Sequence, residues 1–325
     1  KVPTADDVQG TTLFGFWKAI VTKTQQFCLT VLRRLKCDDP PRSIADYGRV
    51  PTNAFPDDDT LFVHQILGVN PCAICPLTET MCTTINKQLP PGQQLSVGDN
   101  MYMCNYEILR PSSHQIRKHA RYVPAPVAVF EYSDATGFVP TAILYDLEKV
   151  FPGTVRRNNT TAWEFAKRCV RVANWNAHEL GAHLTLTHLV TEVAILAMHH
   201  TLPQVHPVFQ LLRPHFFRTL ALNAKARSSL VPSFIAGKLT PFTADQCREI
   251  TARFYQDWNF QEHYVPADLQ RRGVDNKPSQ HYSFGASASF VWGKIDEYVG
   301  NVLTQLSKQS GCNNLVQVDS CLRNF

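Results

Sequence analysis

No stretch of about 18 or more apolar residues runs free of polar breaks, so the sequence predicts no membrane-crossing helix. No block of Lys or Arg forms a stripe, and the net charge of +5 is mild, so a nucleic-acid partner is not expected. The amino end, Lys1-Val2-Pro3-Thr4-Ala5-Asp6-Asp7, has no initiator Met, no apolar signal core and no cleavage pattern. It reads as an internal cut or a processed end. Internal repeats and low-complexity linkers are absent from the sequence. The Cys72-x-x-Cys75 pair has no second close pair at zinc-ribbon spacing. With ten cysteines scattered over 325 residues, free thiols in a reducing compartment are expected rather than a disulfide scaffold. Asn158 and Asn159 each open an Asn-x-Thr triplet, relevant only to a secreted chain.

What is present describes an ordinary globular chain, 44% apolar and 18% charged, long enough to bury a substantial core. A short helix is expected from about Leu13 to Leu35, followed by a Pro- and Asp-rich loop to Asp59. Residues 60–97 are irregular, with weak periodicity. Val127-Ala128-Val129-Phe130 and Thr141-Ala142-Ile143-Leu144-Tyr145 are short apolar runs separated by Ser, Asp and Gly, which predicts a strand pair. Asn159-Thr160-Thr161 can cap a helix opening near Ala162. From there to Thr201 the one interior breaker is Gly181. The second half is apolar on nearly every side (Leu184, Leu186, Leu189, Val190, Val193, Ile195, Leu196, Met198), which predicts a buried central helix. Further helices are expected over Ala244–Trp258 and Phe290–Leu306. The fold class is mainly α with a small β element.

Seven of the twelve histidines fall between residues 178 and 215, and His178, His183 and His188 lie five apart. An α-helix turns about 100° per residue, so five residues leave successive rings about 140° apart. A π-turn, with i→i+5 hydrogen bonds, brings them nearly into line, and such turns concentrate at functional sites. The spacing therefore predicts either unrelated core histidines or a π-bulged metal helix. Imidazoles suit iron, zinc, copper or nickel alike.

Trp163-Glu164-Phe165-Ala166-Lys167, then His178-x4-His183-x4-His188-Leu189-Val190-x-Glu192, together with Leu202-Pro203-x-x-His206-Pro207-x-Phe209-x-Leu211-Leu212-x-Pro214-His215 and Asn223-x-Lys225-Ala226-Arg227, resemble the central signature of lipoxygenases. The pattern is most similar to the animal arachidonate type. Weaker matches are Leu67-Gly68-x-Asn70-Pro71, Gly137-Phe138-x-Pro140-x-Ala142-Ile143 and Leu269-x-x-Arg272-Gly273. The resemblance implies a lipoxygenase-like helical catalytic domain with a long buried π-bulged central helix. It also implies non-haem iron (Fe2+/Fe3+) with His183 and His188 as its first two ligands, while His178, His206 and His215 match histidines that bind no metal. Leu184 and Leu222 match residues flanking the reacting pentadiene, and Ala226 matches the position where Ala accompanies S and Gly R oxygenation. The implied reaction is dioxygenation of a polyunsaturated fatty acid, with bis-allylic hydrogen abstraction by ferric hydroxide and addition of O2 to give a hydroperoxide. A cytoplasmic location is implied, with any membrane contact made by segments outside these residues.

Against the family pattern, residues 1–325 read as a partial catalytic domain, without the N-terminal β-sandwich and without the C-terminal segment that carries a third histidine ligand and a terminal Ile carboxylate. The Gln usual after the first histidine is Glu179, and the Asp before Tyr106 is Asn105. Gly285-Ala286-Ser287-Ala288-Ser289 replaces a paired acidic turn. Two readings therefore stand: a fatty-acid dioxygenase, or a catalytically silent lipoxygenase-like fragment that serves as a lipid-binding or interaction module.

Overall fold

The computed structural model describes residues 58–110, 123–146, 153–157, 160–311 and 319–325. The helix expected at Leu13–Leu35 and the Asn158/Asn159 sequons lie outside the described residues.

The β element is a five-stranded antiparallel meander in the order β1 to β5: Ile74–Pro76, Met101–Asn105, Val127–Ser133, Gly137–Asp146 and Gly153–Arg156. The two runs read from sequence as a strand pair are β3 and β4, registered from Val127↔Leu144 to Ser133↔Gly137. Gly137 turns the hairpin with φ +71°, and a Cβ there would sit 2.6 Å from the His281 ring. Both faces of the sheet are covered, which is why β3 reads as a continuous apolar run rather than as alternation. Met101, Met103, Val127, Val129, Ala142 and Leu144 meet Met81, Cys82 and Ile85 of a small amphipathic helix. Tyr102, Cys104, Ala128, Phe130 and Ile143 point the other way, into the main helical core.

The helices are α1 (Asp58–Val69), α2 (Glu79–Asn86), α3 (Thr160–Ala177), α4 (Val190–Thr201), α5 (Pro207–Leu212), α6 (Thr219–Lys225), α7 (Ala244–Gln256), α8 (Phe260–His263), α9 (Val265–Arg271), α10 (Ser283–Gln309) and α11 (Ser320–Asn324). The stretch expected to be irregular, residues 60–97, thus holds α1, α2 and β1. Both helices are short, and their apolar positions answer to different neighbours, so no single period emerges. The expected helix from Ala162 to Thr201 is continuous: α3 and α4 are joined by a π-helical segment, His178–Leu189. By length and composition alone that helix would suffice to cross a membrane, a test that the core helix of a soluble protein also passes. Its first half is buried at Trp163, Ala166, Val170, Ala173, Ala177, Leu180 and Leu184, against the sheet, α1 and α7. Along α4, Ile195 and Met198 are buried and Val193 is 51% exposed.

Two buried cations tie these layers together. Lys167, 1% exposed, reaches Asp59 at 2.9 Å and Glu164 at 2.7 Å and also pairs with Asp58, so the first turn of α1 docks on α3. Asp59 further accepts from Trp163 Nε1 at 2.8 Å and Arg157 Nε at 2.7 Å. Arg272, also 1% exposed, donates to Asp268, to the Pro71 carbonyl at 3.2 Å and to Tyr282 Oη at 2.8 Å, which fastens α9 and the start of α10 to the loop before β1. Gly273 follows with φ +62°, and its carbonyl accepts from Tyr102 Oη at 2.8 Å.

Removing one member of a buried ion pair strands the other, at about 3–5 kcal/mol. Asp58 keeps half its surface in water, so Lys167→Met is expected at the lower end, about 3 kcal/mol, read from the urea midpoint. A variant with an unchanged midpoint would show that the Lys167 cluster does not hold α1 in place.

Candidate metal centre

The π segment is the local feature on which the histidines depend. Its i→i+5 register shows at its end, where the Val190 N–H donates to the Thr185 carbonyl. Two threonine hydroxyls reinforce that register: Thr185 Oγ1 donates to the Leu180 carbonyl at 2.6 Å and Thr187 Oγ1 to the Ala182 carbonyl at 2.8 Å, both five residues back. Residues five apart then share a face. The His178 and His183 rings lie nearly parallel at 6.2 Å, and the His183 and His188 rings cross at 71° and 5.1 Å. Of the two expectations, unrelated histidines or a π-bulged metal helix, the π bulge and its aligned row are present.

Each of the inner two histidines has a partner on its Nδ1. Glu179 Oε2 lies 3.2 Å from His183 Nδ1, and Asn223 Oδ1 lies 3.1 Å from His188 Nδ1. The hydrogen bond that His183 donates to Glu179 raises the His183 pKa, and the same bond holds the Glu179 carboxyl below the usual carboxylate range. An ionised carboxylate only accepts, so His183 presents an Nδ1–H to it, and in the neutral ring that leaves the Nε2 lone pair free. A ring fixed in that way, with the other nitrogen engaged by a carboxylate or amide, is the usual state of a metal-bound histidine. His183 is 48% exposed, so this face of the helix is open to solvent. His178 differs: its Nδ1 is buried without a partner, and burial lowers its pKa.

The donor chemistry at His183 and His188, two imidazoles with supported outer nitrogens, is compatible with iron and equally with other imidazole-binding metals. Among the described residues, no group of three or more His, Cys, Asp or Glu side chains converges as a complete set. The other candidates are engaged elsewhere. His206 caps α5, accepting from the Val208 N–H on Nδ1, and its Nε2 meets Asp319 at 2.9 Å, which pins α11 beside the Met198–Phe209 cluster. Glu192 is held by Arg227. Cys72, exposed, and Cys75, part-buried, are free thiols. Glu179 stands where the sequence placed a charge. Asn223, by contrast, went unassigned in the sequence reading, since nothing local in Leu222-Asn223-Ala224 says that it faces His188.

The residues expected at the substrate differ in burial. Leu184, beside His183, and Ala226 are buried, and Leu222 is half-buried one residue before Asn223. A cleft of about 570 Å³, lined by His64, Phe138, Arg157 and His281 among others, lies between α1, β4 and the start of α10 and includes none of them.

Comparison with known proteins gives one answer. The lipoxygenase family model matches residues 139–325, more than half of the chain. A manganese lipoxygenase of Pleurotus sapidus is 35% identical over 202 residues, covering 56% of this chain and 31% of that protein. The polyunsaturated fatty acid lipoxygenase ALOX8 of Mus musculus is 28% identical over 268 residues, covering 76% and 38%. Among solved structures, a fungal lipoxygenase from Fusarium graminearum superposes with a TM-score of 0.70 at 23% identity, covering 85% of this chain and 52% of that one. The coral 8R-lipoxygenase gives 0.64 at 25% identity, covering 76% and 39%. The chain spans about a third of the length of these sequence relatives.

Gly181 allows the π segment its approach to α7: a Cβ there would lie 2.5 Å from the Phe254 ring. Gly181→Ala is expected to cost about 1–3 kcal/mol in thermal or urea unfolding, as overpacking does. Phe254→Ala in the same chain should recover part of that loss, and strictly additive effects would contradict the contact.

Proposed function

From the premise that the chain belongs to the lipoxygenase family, we propose that it forms part of the catalytic domain of a non-haem metal dioxygenase that converts polyunsaturated fatty acids to hydroperoxides. The observation that carries this reading is the pair His183 and His188, aligned by the π register with both Nδ1 atoms engaged. The family generally uses iron, which we assign here; manganese is the alternative named by one relative. When bound, the metal supplies the one-electron oxidant needed to remove a bis-allylic hydrogen. The chain's own part is placement. His183 and His188 donate through Nε2, and Glu179 and Asn223 keep the protons on Nδ1. Leu184 and Leu222 present apolar surface to the pentadiene. Ala226 flanks the carbon that takes up O2, its small side chain leaving room on one face. Linoleate and arachidonate are the substrates to try first, and a cytoplasmic enzyme with any membrane contact made by other segments is part of the same reading.

A second reading rests on the two-member ligand set among the described residues: a lipoxygenase-like module that holds a fatty acid without oxidising it. The two separate on the metal. Elemental analysis of the purified chain is expected to find bound iron or manganese, which His183→Ala and His188→Ala each weaken by more than about 100-fold, beyond the effect of losing an outer-sphere partner. Metal bound equally by both variants would remove these residues from the role. Fatty-acid binding without metal and without diene formation would favour the second reading. Where activity is present, Ala226→Gly is expected to move product chirality toward R, and an unchanged enantiomer ratio on a chiral column would count against Ala226.

A further inference from the structure

The surroundings of Asn223 carry an inference about His188. Asn223 is 1% exposed in α6 and makes three polar contacts. Its Nδ2 donates to the backbone carbonyl of His188 at 2.9 Å and to Glu192 Oε2 at 2.8 Å, and its Oδ1 lies 3.1 Å from His188 Nδ1. The first two partners decide which way the amide points. A backbone carbonyl can only accept. Glu192 accepts as well, since Arg227 grips its two oxygens at 2.7 and 2.9 Å and, chiefly through that contact, holds its carboxyl below the usual range. The amide has two N–H hydrogens, and these two acceptors use both. Turned over, Asn223 would set its carbonyl oxygen against a carboxylate and a carbonyl in a buried site, at the cost of unmade hydrogen bonds.

The orientation of Asn223 in turn fixes His188. Oδ1 carries no hydrogen, so the 3.1 Å contact is a bond only if His188 Nδ1 carries one. In the neutral ring that leaves Nε2 with its lone pair free. We infer that Asn223 is the positioning residue of His188, setting its tautomer and gripping its ring and its carbonyl at once, while Arg227 and Glu192 set Asn223. The chain Arg227–Glu192–Asn223–His188 spans the second π segment (Ala226–Leu239), α4, α6 and the first π segment. It rests on the reading of His188 as a metal ligand only for its purpose; the tautomer stands without metal.

The test is nitrogen NMR of the metal-free chain labelled with 15N-histidine, joined to titration with Fe2+ or Co2+. His188 is expected as the Nδ1–H form. Asn223→Ala should shift it toward Nε2–H and weaken metal binding about 10- to 100-fold, the usual effect of losing an outer-sphere partner. Asn223→Asp keeps the acceptor while losing the amide donor, so it should retain the Nδ1–H form even if the fold is weakened, a result that loss of packing alone would not give. An Nε2–H His188 in the unsubstituted chain overturns the inference without any variant. So does metal binding with affinity and tautomer both indifferent to Asn223→Ala, an outcome that leaves the ligand assignment intact. A tautomer that follows Asn223 in a chain that takes up no metal supports the positioning role and overturns the ligand assignment instead.

Discussion

The i→i+5 register of residues 178–189 is the constraint on which the site depends. It replaces a rotation that would scatter the three rings with one that aligns them. Such a register is unfavourable by itself, and the surroundings supply what keeps it. Thr185 and Thr187 bond the carbonyls five residues back. Gly181 lets Phe254 come into contact with the helix, and Leu180 and Leu184 anchor its buried side in the core. Asn223 takes the carbonyl of His188 at the far end. The site is thus less a row of histidines on a helix than a helix pulled into an uncommon form by its neighbours.

Elsewhere in the fold, long-range polar contacts help to place the elements around the sheet. Lys167 and Arg272 are both withdrawn from water, and each is satisfied by groups from at least two separate elements. A buried charge tolerates few arrangements, so each cluster restricts how α1, α9 and α10 can sit against the sheet. The apolar core supplies most of the driving force and would accept a range of packings. The ion pairs select among them.

What could be read from the sequence follows the same division. The β3–β4 hairpin, the unbroken helix to Thr201, α7 and α10 were legible because their signals are local: apolar runs, caps, the absence of breakers. The five-residue histidine spacing also made the π turn legible, since no other regular helix gives that spacing a purpose. Residues 60–97 were not legible as α1, α2 and β1, because Phe62, Ile66, Met81 and Ile85 answer to two different cores. Asn223 was hidden for a related reason. Its partners are 31 and 35 residues away, and its role exists only when α6 is laid against the π segment. Glu179 sits four residues before His183 on the same helix and could be seen in advance as a nearby charge.

The two imidazoles, alike in the sequence, are unlike in the structure. His183 has an ionised carboxylate on Nδ1 and a half-exposed ring; His188 has a neutral amide on Nδ1, itself fixed by the part-buried carboxylate of Glu192 and by Arg227. A carboxylate pulls on the Nδ1 proton and makes the opposite nitrogen a stronger donor, whereas an amide orients the ring with little change in its basicity. Donor strength is therefore concentrated on the solvent side of the pair, and geometric precision on the side facing α6. That is the side on which Leu222 and Ala226 are carried, so the ring held most rigidly in orientation is the one nearest in the hydrogen-bond network to the residues proposed to face the substrate. Under the metal role proposed for the pair, the fixed reference lies on the side facing α6 and the more electron-rich ring on the half-exposed side.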